Sequence, residues 1–357
     1  MGQFVQLAVG TVQADEKLPI GRSSVAFFEA PEYTEHIVYY GTGGIGVLNI
    51  LNRLRAYITL ITALKRRVGS PDLVHANVIH DSGIVAFALK LFRKYRYVIS
   101  EHSTRFVPPN RLSLGRRLVA RLVCRDAERV LPVSNYLQER MMDRVGGFVN
   151  FQVVSNVVNT ELFRHEPKGG TSGRQKLRVL HVSNFKDHQK NMIGLIECFG
   201  KVAKAFPGQV EFVIAGDGDK NFVTSCIAEQ DVSSFDISVS GPHTDIEIAA
   251  LMRAADVFVL FSNFETQGLV LLEALCTGLP CIGPEVGPIP EIIHPGFNGL
   301  LVATGNQSSL EDALIAFITK SHCYFKEKIA ADASARYGNR VIGKKILSVY
   351  KASIECS

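Results

Sequence analysis

Two neighbouring stretches, Ala254-Ala-Asp-Val-Phe-Val-Leu-Phe261 and Glu265-Thr-Gln-Gly-Leu-Val-Leu-Leu-Glu273, decide how this chain folds. The first is a short apolar run of the kind a buried parallel strand shows. The second passes through a glycine into a wholly apolar run that reads as the first turns of a buried helix. Gly268 has no Cβ, so a ligand can approach its backbone closely. Unpaired amides and the positive end of the dipole make a helix start a ready anion site. Glu265 precedes that helix and Glu273 lies inside it, close to the same mouth. A negative group can therefore rest on the amides of Gly268, Leu269 and Val270 while the carboxylates take sugar hydroxyls. A strand-loop-helix connection with two solvated glutamates accounts for the same residues, so the surroundings must decide.

Working outward, Ala274-Leu-Cys-Thr-Gly-Leu-Pro-Cys-Ile282 ends the helix at Gly278 and starts another strand. Strand-like runs alternate with helical ones along the whole chain, the mark of βαβ units. The first half predicts strands at Ser24–Glu29, His36–Tyr40, Asp72–Ala76, Tyr97–Glu101, Arg129–Val133 and Phe151–Ser155. The second half predicts them at Leu177–Ser183, Val210–Gly216, Ile237–Ser240, Val257–Phe261, Pro280–Gly283 and Gly299–Val302. Between the halves, Glu166-Pro-Lys-Gly-Gly-Thr-Ser-Gly-Arg174 is polar and glycine-rich and reads as a linker. The expected organisation is α/β, with two doubly wound domains facing across a cleft. Residues 1–165 form the first domain, 166–176 the linker, 177–340 the second domain, and 341–357 a helix packing back on the first domain.

Composition narrows the class. The chain has 357 residues, 46% hydrophobic and 20% charged, which suits two domains with large cores and argues against disorder. No run reads as a signal peptide or a membrane span. Seven scattered cysteines show no metal-binding spacing and read as reduced core residues, so the expected compartment is cytoplasmic. Net charge is +5, with 20 Lys+Arg against 12 Asp+Glu in residues 1–150 and 19 against 22 in the rest. The basic residues gather in two amphipathic helical stretches, 51–67 and 111–125. These read either as core helices with solvated basic faces or as helices resting on an anionic membrane surface. No nucleic-acid motif accompanies them.

With Gly287-Pro-Ile-Pro-Glu291 and Gly296-Phe-Asn-Gly-Leu-Leu-Val302 added, the series from about Arg178 to Val302 resembles the carboxyl-terminal domain of the family 4 glycosyltransferases, which have the GT-B fold. The resemblance implies a retaining enzyme that moves a sugar from a nucleoside diphosphate sugar to a glycan or lipid-linked acceptor, without a metal or other cofactor. It implies that Glu265 contacts the reacting sugar and Glu273 the ribose. Lys190 matches the family lysine that meets the donor phosphates, here from the wall opposite the glutamates. Asn184 stands in a turn where the family carries arginine, and Lys186 is positioned to substitute for that charge. Gly216 ends a strand under the nucleotide, and the backbone near Val239 faces the base. In the first half, His102 matches the family histidine beside the reacting carbon. His75 and Arg105 fall on the acceptor side, and Asn77 replaces the second histidine of a family pair. The opening Met1-Gly-Gln-Phe-Val-Gln-Leu-Ala-Val9 looks like the tail of a glycine-rich loop and its helix, with the family's first strand missing. That departure, with Asn77 and Asn184, keeps open a second reading: a non-catalytic or truncated protein of the same fold that binds a nucleotide sugar or a partner.

Overall fold

The computed structural model describes residues 7–20, 22–29, 33–41, 46–110, 112–167, 176–230, 235–321 and 323–355. Residues 1–6, most of the linker (168–175), Arg111 and Cys356 lie outside them. The chain divides into two compact units, one of residues 1–74 and 85–96, the other of residues 75–84 and 97–357.

The first unit opens with strands β1 (Leu7–Ile20), β2 (Ser23–Glu29) and β3 (Tyr33–Gly41), ordered β1-β3-β2 with β1 parallel and β2 antiparallel to β3. Helix α1 (Gly46–Val68) packs on this sheet through Ala56 and Leu60 against Val38, with Val12 and Val25 at the margin. At Gly10 a side chain would meet the methyls of Leu60 and Leu64 at 3.0 Å, so the glycine lets helix and strand close up. The helix expected to begin near Leu7 is thus a strand. Its apolar residues alternate with small and polar ones, and Asp15-Glu-Lys17 at its far end suit the edge of a sheet.

The second unit carries most of the sheet β4-β5-β6, formed by β4 (Leu73–Asn77), β5 (Arg96–Glu101) and β6 (Arg129–Pro132). Helices α2 (Ile84–Arg93), α3 (Leu114–Asp126) and α4 (Asn135–Val145) follow these strands in turn. Residues expected as a strand at Phe151–Ser155 bridge to Val130 and run beside β6, the Gln152 and Val154 amides donating to the Val130 and Pro132 carbonyls at 3.0 Å.

Beyond the linker come β7 (Leu177–Val182), α5 (Asp187–Lys190), α6 (Met192–Ala205), β8 (Val210–Ala215), α7 (Lys220–Ala228), β9 (Ile237–Ser240), α8 (Asp245–Ala254) and β10 (Val257–Val259). The series continues with α9 (Leu269–Cys276), β11 (Cys281–Pro284), α10 (Ile289–Ile292), β12 (Gly299–Val302), α11 (Gln307–Ile318), α12 (Lys326–Tyr337) and α13 (Asn339–Glu355). The six strands form one parallel sheet in the order β12-β11-β10-β7-β8-β9. Numbered within the domain, that is 3-2-1-4-5-6, the doubly wound dinucleotide-binding order. The sheet is buried on both faces. Phe258, Leu260, Leu271 and Ile289 pack on one side, and Phe199, Phe212, Val259 and Phe261 on the other. Strand order reverses between β7 and β10, the place at which sheets of this order bind ligands at their carboxyl ends. The loops after those two strands carry Lys190 and Glu265. Among the described residues, no helix is long and apolar enough to cross a membrane.

Candidate functional site at the switch point of the second sheet

The loop after β10 runs from Leu260 to Gly268 without regular structure, and side chains hold it. At one end, the Asn263 amide donates to the Gln189 carbonyl at 2.7 Å, and Asn263 Nδ2 donates to the His188 carbonyl at 3.2 Å. Between its ends sits Glu265, 5% exposed. Lys190 Nζ donates to Glu265 Oε1 at 2.5 Å, and Ser262 Oγ donates to the same oxygen at 2.9 Å. Lys190 therefore shares a wall with Glu265, where the sequence placed it opposite. The reason is α5, a single turn after β7 that aims Lys190 across the narrow gap to the adjacent β10 loop. Both members of the pair are largely removed from water, so each neutralises a charge the interior would otherwise disfavour.

Gly268 caps α9 in the left-handed conformation (φ 75°), which costs a side chain strain and glycine none. Among the described residues no side chain caps this helix start, where the amides of Gly268, Leu269 and Val270 are the expected anion cradle. Glu273 lies one turn further in, half-buried on the same helix. Burial, reinforced by Asp245, pushes its pKa up to about 7. Among the described residues, no hydrogen bond or ion pair meets its carboxylate.

The loop after β7 is shaped by a histidine that sequence reading passed over. His181 is fully buried. Its Nδ1 lies 2.9 Å from the Val259 carbonyl and its Nε2 2.9 Å from Ser183 Oγ. Burial lowers its pKa to about 4 and keeps it neutral. Ser183 Oγ in turn accepts from the Phe185 amide. Asn184 Oδ1 accepts from the Lys186 amide at 3.3 Å, and the exposed Lys186 opens α5. At Gly216 and Gly218 a Cβ would lie 1.7 Å from the Ser183 carbonyl oxygen and 2.1 Å from that of Asn184. The close approach these glycines allow is thus made first by the chain's own loop, and Gly216 acts on the site through that loop. Val239 is half-buried on the edge strand β9, paired with Ile214.

His102 and Arg105 are exposed just beyond β5. Their loop is held by Glu101, fully buried, which accepts from the Ser103 amide at 2.8 Å and from the Ile79 amide at 2.9 Å. Among the described residues, no hydrogen bond or ion pair joins His102 or Arg105 to the Lys190–Glu265 group. His75 faces elsewhere. Its Nδ1 lies 2.6 Å from the Tyr350 hydroxyl and its Nε2 2.8 Å from Ser100 Oγ, and burial pushes its pKa down to about 4. With both ring nitrogens taken, His75 ties α13 to β4 rather than presenting a free group to an acceptor. Among the described residues, no cluster of His, Cys, Asp or Glu could hold a metal ion.

A six-stranded doubly wound parallel sheet of this order is a Rossmann-like domain. Comparisons define it further. Residues 24–162 match the model described as Glycosyltransferase Family 4, and residues 164–336 the model described as Glycosyl transferases group 1. The sucrose-phosphate synthase of Thermosynechococcus elongatus superposes with a TM-score of 0.79 at 18% identity, covering 98% of this chain and 89% of that one. An Anabaena protein, HepE, solved with UDP and glucose, superposes with a TM-score of 0.72 at 21% identity, covering 88% and 86%. The fold is GT-B, and the chain belongs to the family 4 glycosyltransferases. Among curated relatives, the N-acetyl-alpha-D-glucosaminyl L-malate synthase of Bacillus anthracis is 28% identical over 53% of this chain and 50% of its own length. The phosphatidyl-myo-inositol mannosyltransferase of Mycobacterium leprae is 27% identical over 62% of this chain and 58% of its own. The chain thus spans less than two thirds of the length of either relative.

Proposed function

We propose that this chain is a retaining glycosyltransferase that takes a sugar from a nucleoside diphosphate sugar and places it on a glycan or lipid-linked acceptor in cell-surface polysaccharide or glycolipid synthesis. The observation that carries the proposal is Glu273, a half-buried carboxylate that no hydrogen bond or ion pair meets among the described residues, on a helix whose first amides lie one turn away. A diphosphate on those amides puts the attached ribose hydroxyls within reach of Glu273. The Lys190–Glu265 pair fits the same ligand. Phosphate oxygens compete for Lys190, and the Glu265 carboxylate is then released to accept from hydroxyls of the sugar. As the glycosidic bond breaks, the leaving diphosphate gathers charge, which Lys190, Lys186 and the helix amides meet with electrostatic stabilisation that needs no metal. The acceptor hydroxyl enters on the face the diphosphate leaves and gives its proton to a phosphate oxygen. His102 borders the reacting carbon. The UDP and glucose bound to HepE agree with this class of donor.

Calorimetric titration with UDP, GDP and ADP tests the donor half. One of them should bind, and Glu273→Gln should weaken it by about 1.5–3 kcal/mol, the worth of a hydrogen bond to a charged group. Because the folded carboxyl titrates near 7, affinity in the wild type should rise as pH climbs through that value and the acceptor form is populated. The glutamine variant should lack that step. Equal affinity for wild type and variant at pH 8 would remove Glu273 from the site.

The acceptor half extends to an anionic membrane surface, on which the protein is peripheral from the cytoplasmic side. On α3, Ala120, Val123 and Cys124 face the core. Leu114, Leu118 and Leu122 lie on the opposite side at 85%, 59% and 37% exposure, among Arg116, Arg117, Arg121 and Arg125. Arg121 also lies over the ring of Phe148, which is 49% exposed. Apolar side chains fringed by arginines suit a bilayer interface better than water. The protein should sediment with vesicles containing anionic lipid and be released as salt rises. Leu118→Glu should abolish the effect, and equal sedimentation with neutral vesicles would contradict it.

A further inference from the structure

Gln267 lies between Glu265 and Gly268, is 4% exposed, and uses its amide in both directions. Its Nε2 donates to the Val133 carbonyl at 2.8 Å and to Ser155 Oγ at 2.6 Å, and its Oε1 accepts from the Asn156 amide at 2.9 Å. These partners lie more than a hundred residues away in sequence. Next to it, Ser134 Oγ donates to the Thr266 carbonyl at 2.8 Å. A buried amide is costly unless paired, so this position commits its polar side chain to one arrangement of three segments.

Val133 gives that arrangement its meaning. Its carbonyl accepts from Gln267, and its amide donates to the Glu101 carbonyl at 3.3 Å. Glu101 directly precedes His102 and holds that loop through its carboxylate. A continuous path therefore runs from His102 through Glu101, Val133 and Gln267 to Glu265, with two hydrogen bonds as its only non-covalent steps. The Glu265 loop has no strand or helix of its own and is anchored at its other end by Asn263. Glu291 also bridges distant segments, accepting from the amides of Asn135 and Tyr136, but it acts on α4 and leaves the Glu265 loop untouched.

We infer that Gln267, braced by Ser134, is a positioning residue that sets the spacing between the His102 loop and the Glu265 loop. The inference rests on the reading of both residues as lining one sugar site. Gln267 touches neither sugar nor phosphate in this account. The nucleotide rests on α9 and Glu273, beyond the clamp.

The test is steady-state kinetics and nucleotide titration of Gln267→Met, which keeps the length of the side chain and loses all three hydrogen bonds. In this variant kcat should fall roughly 30- to 100-fold, as a misplacement of about 1 Å does. Nucleotide affinity should stay within about threefold. The fraction of donor sugar lost to water rather than transferred should rise, because donor and acceptor are no longer held in register. Gln267→Glu keeps the acceptor for Asn156 but cannot donate to Val133, and should show the same split. Ser134→Ala should show a weaker form of it. If Gln267→Met does not fold, the glutamate and Ser134 variants carry the same readout. Parallel loss of affinity and kcat would mean a general structural role and overturn the inference, as would an unchanged kcat and hydrolysis fraction. A wild-type chain that binds nucleotide but turns over no donor would overturn the catalytic reading and this inference with it. Normal wild-type turnover with an indifferent Gln267→Met would overturn this inference alone.

Discussion

Lys190→Ala is expected to lower kcat/KM for the donor by about 10³-fold, with both donor affinity and turnover affected. In the proposed mechanism Lys190 meets phosphate charge in the ground state and more of it as the diphosphate leaves. Loss of a single preorganised donor in such a place typically costs about 10²–10³ in turnover alone. The structure adds a second consequence. Removing Lys190 leaves Glu265 buried beside Ser262 without its counter-charge. Breaking one side of a buried pair costs about 3–5 kcal/mol, so the variant should also melt earlier. The double variant Lys190→Met/Glu265→Gln separates the effects. It should recover most of the stability, since no isolated charge remains, and none of the activity. Full activity in Lys190→Ala at a temperature where it is folded would remove the lysine from the mechanism.

The second large effect is expected at His102. His102→Ala should reduce kcat by about 10²-fold while donor affinity moves less than threefold, because in the proposed mechanism the ring acts on the sugar as it reacts rather than on the nucleotide. Among the described residues, the exposed ring carries no hydrogen bond. Its loop is held by Glu101 instead, so the melting temperature should stay put. A His102→Ala variant with wild-type kcat, or with kcat and nucleotide affinity falling together, would contradict the placement.

The parts of this architecture that follow a local rule were legible in the sequence. Strands β7, β8, β10 and β11 lie inside the sheet and are largely buried, so each is an apolar run that stands out from the helices around it. Gly268 announced its turn because only glycine takes that backbone angle without strain. The placing of Glu273 on that helix and of Glu265 on the loop before it followed from one helix start. Other features depend on residues that meet only in three dimensions. Lys190 lies 75 positions before Glu265, and its distance to that carboxylate is set by the pairing of β7 with β10. His75 carried a family resemblance, yet Tyr350 and Ser100 claim both its nitrogens. His181, Gln267 and Glu101 gave no signal at all. A buried histidine, glutamine or glutamate looks in sequence like any polar residue, and its role exists only once its partners are assembled. At the amino terminus, the alternation in Leu7–Ile20 was weak enough to be taken for a helix.

The central claim is that this chain transfers a sugar from a nucleotide donor held at the β7–β10 switch point. It is tested most directly by following nucleoside diphosphate release from a panel of UDP-, GDP- and ADP-sugars, in wild type and in Glu265→Gln. The account predicts that one donor is consumed by the wild type, faster when a lipid-linked or glycan acceptor is present, and that Glu265→Gln abolishes release while still binding the free nucleotide. A wild-type chain that binds a nucleotide sugar and leaves every donor intact, with or without acceptor, would contradict it and leave a binding protein of the same fold.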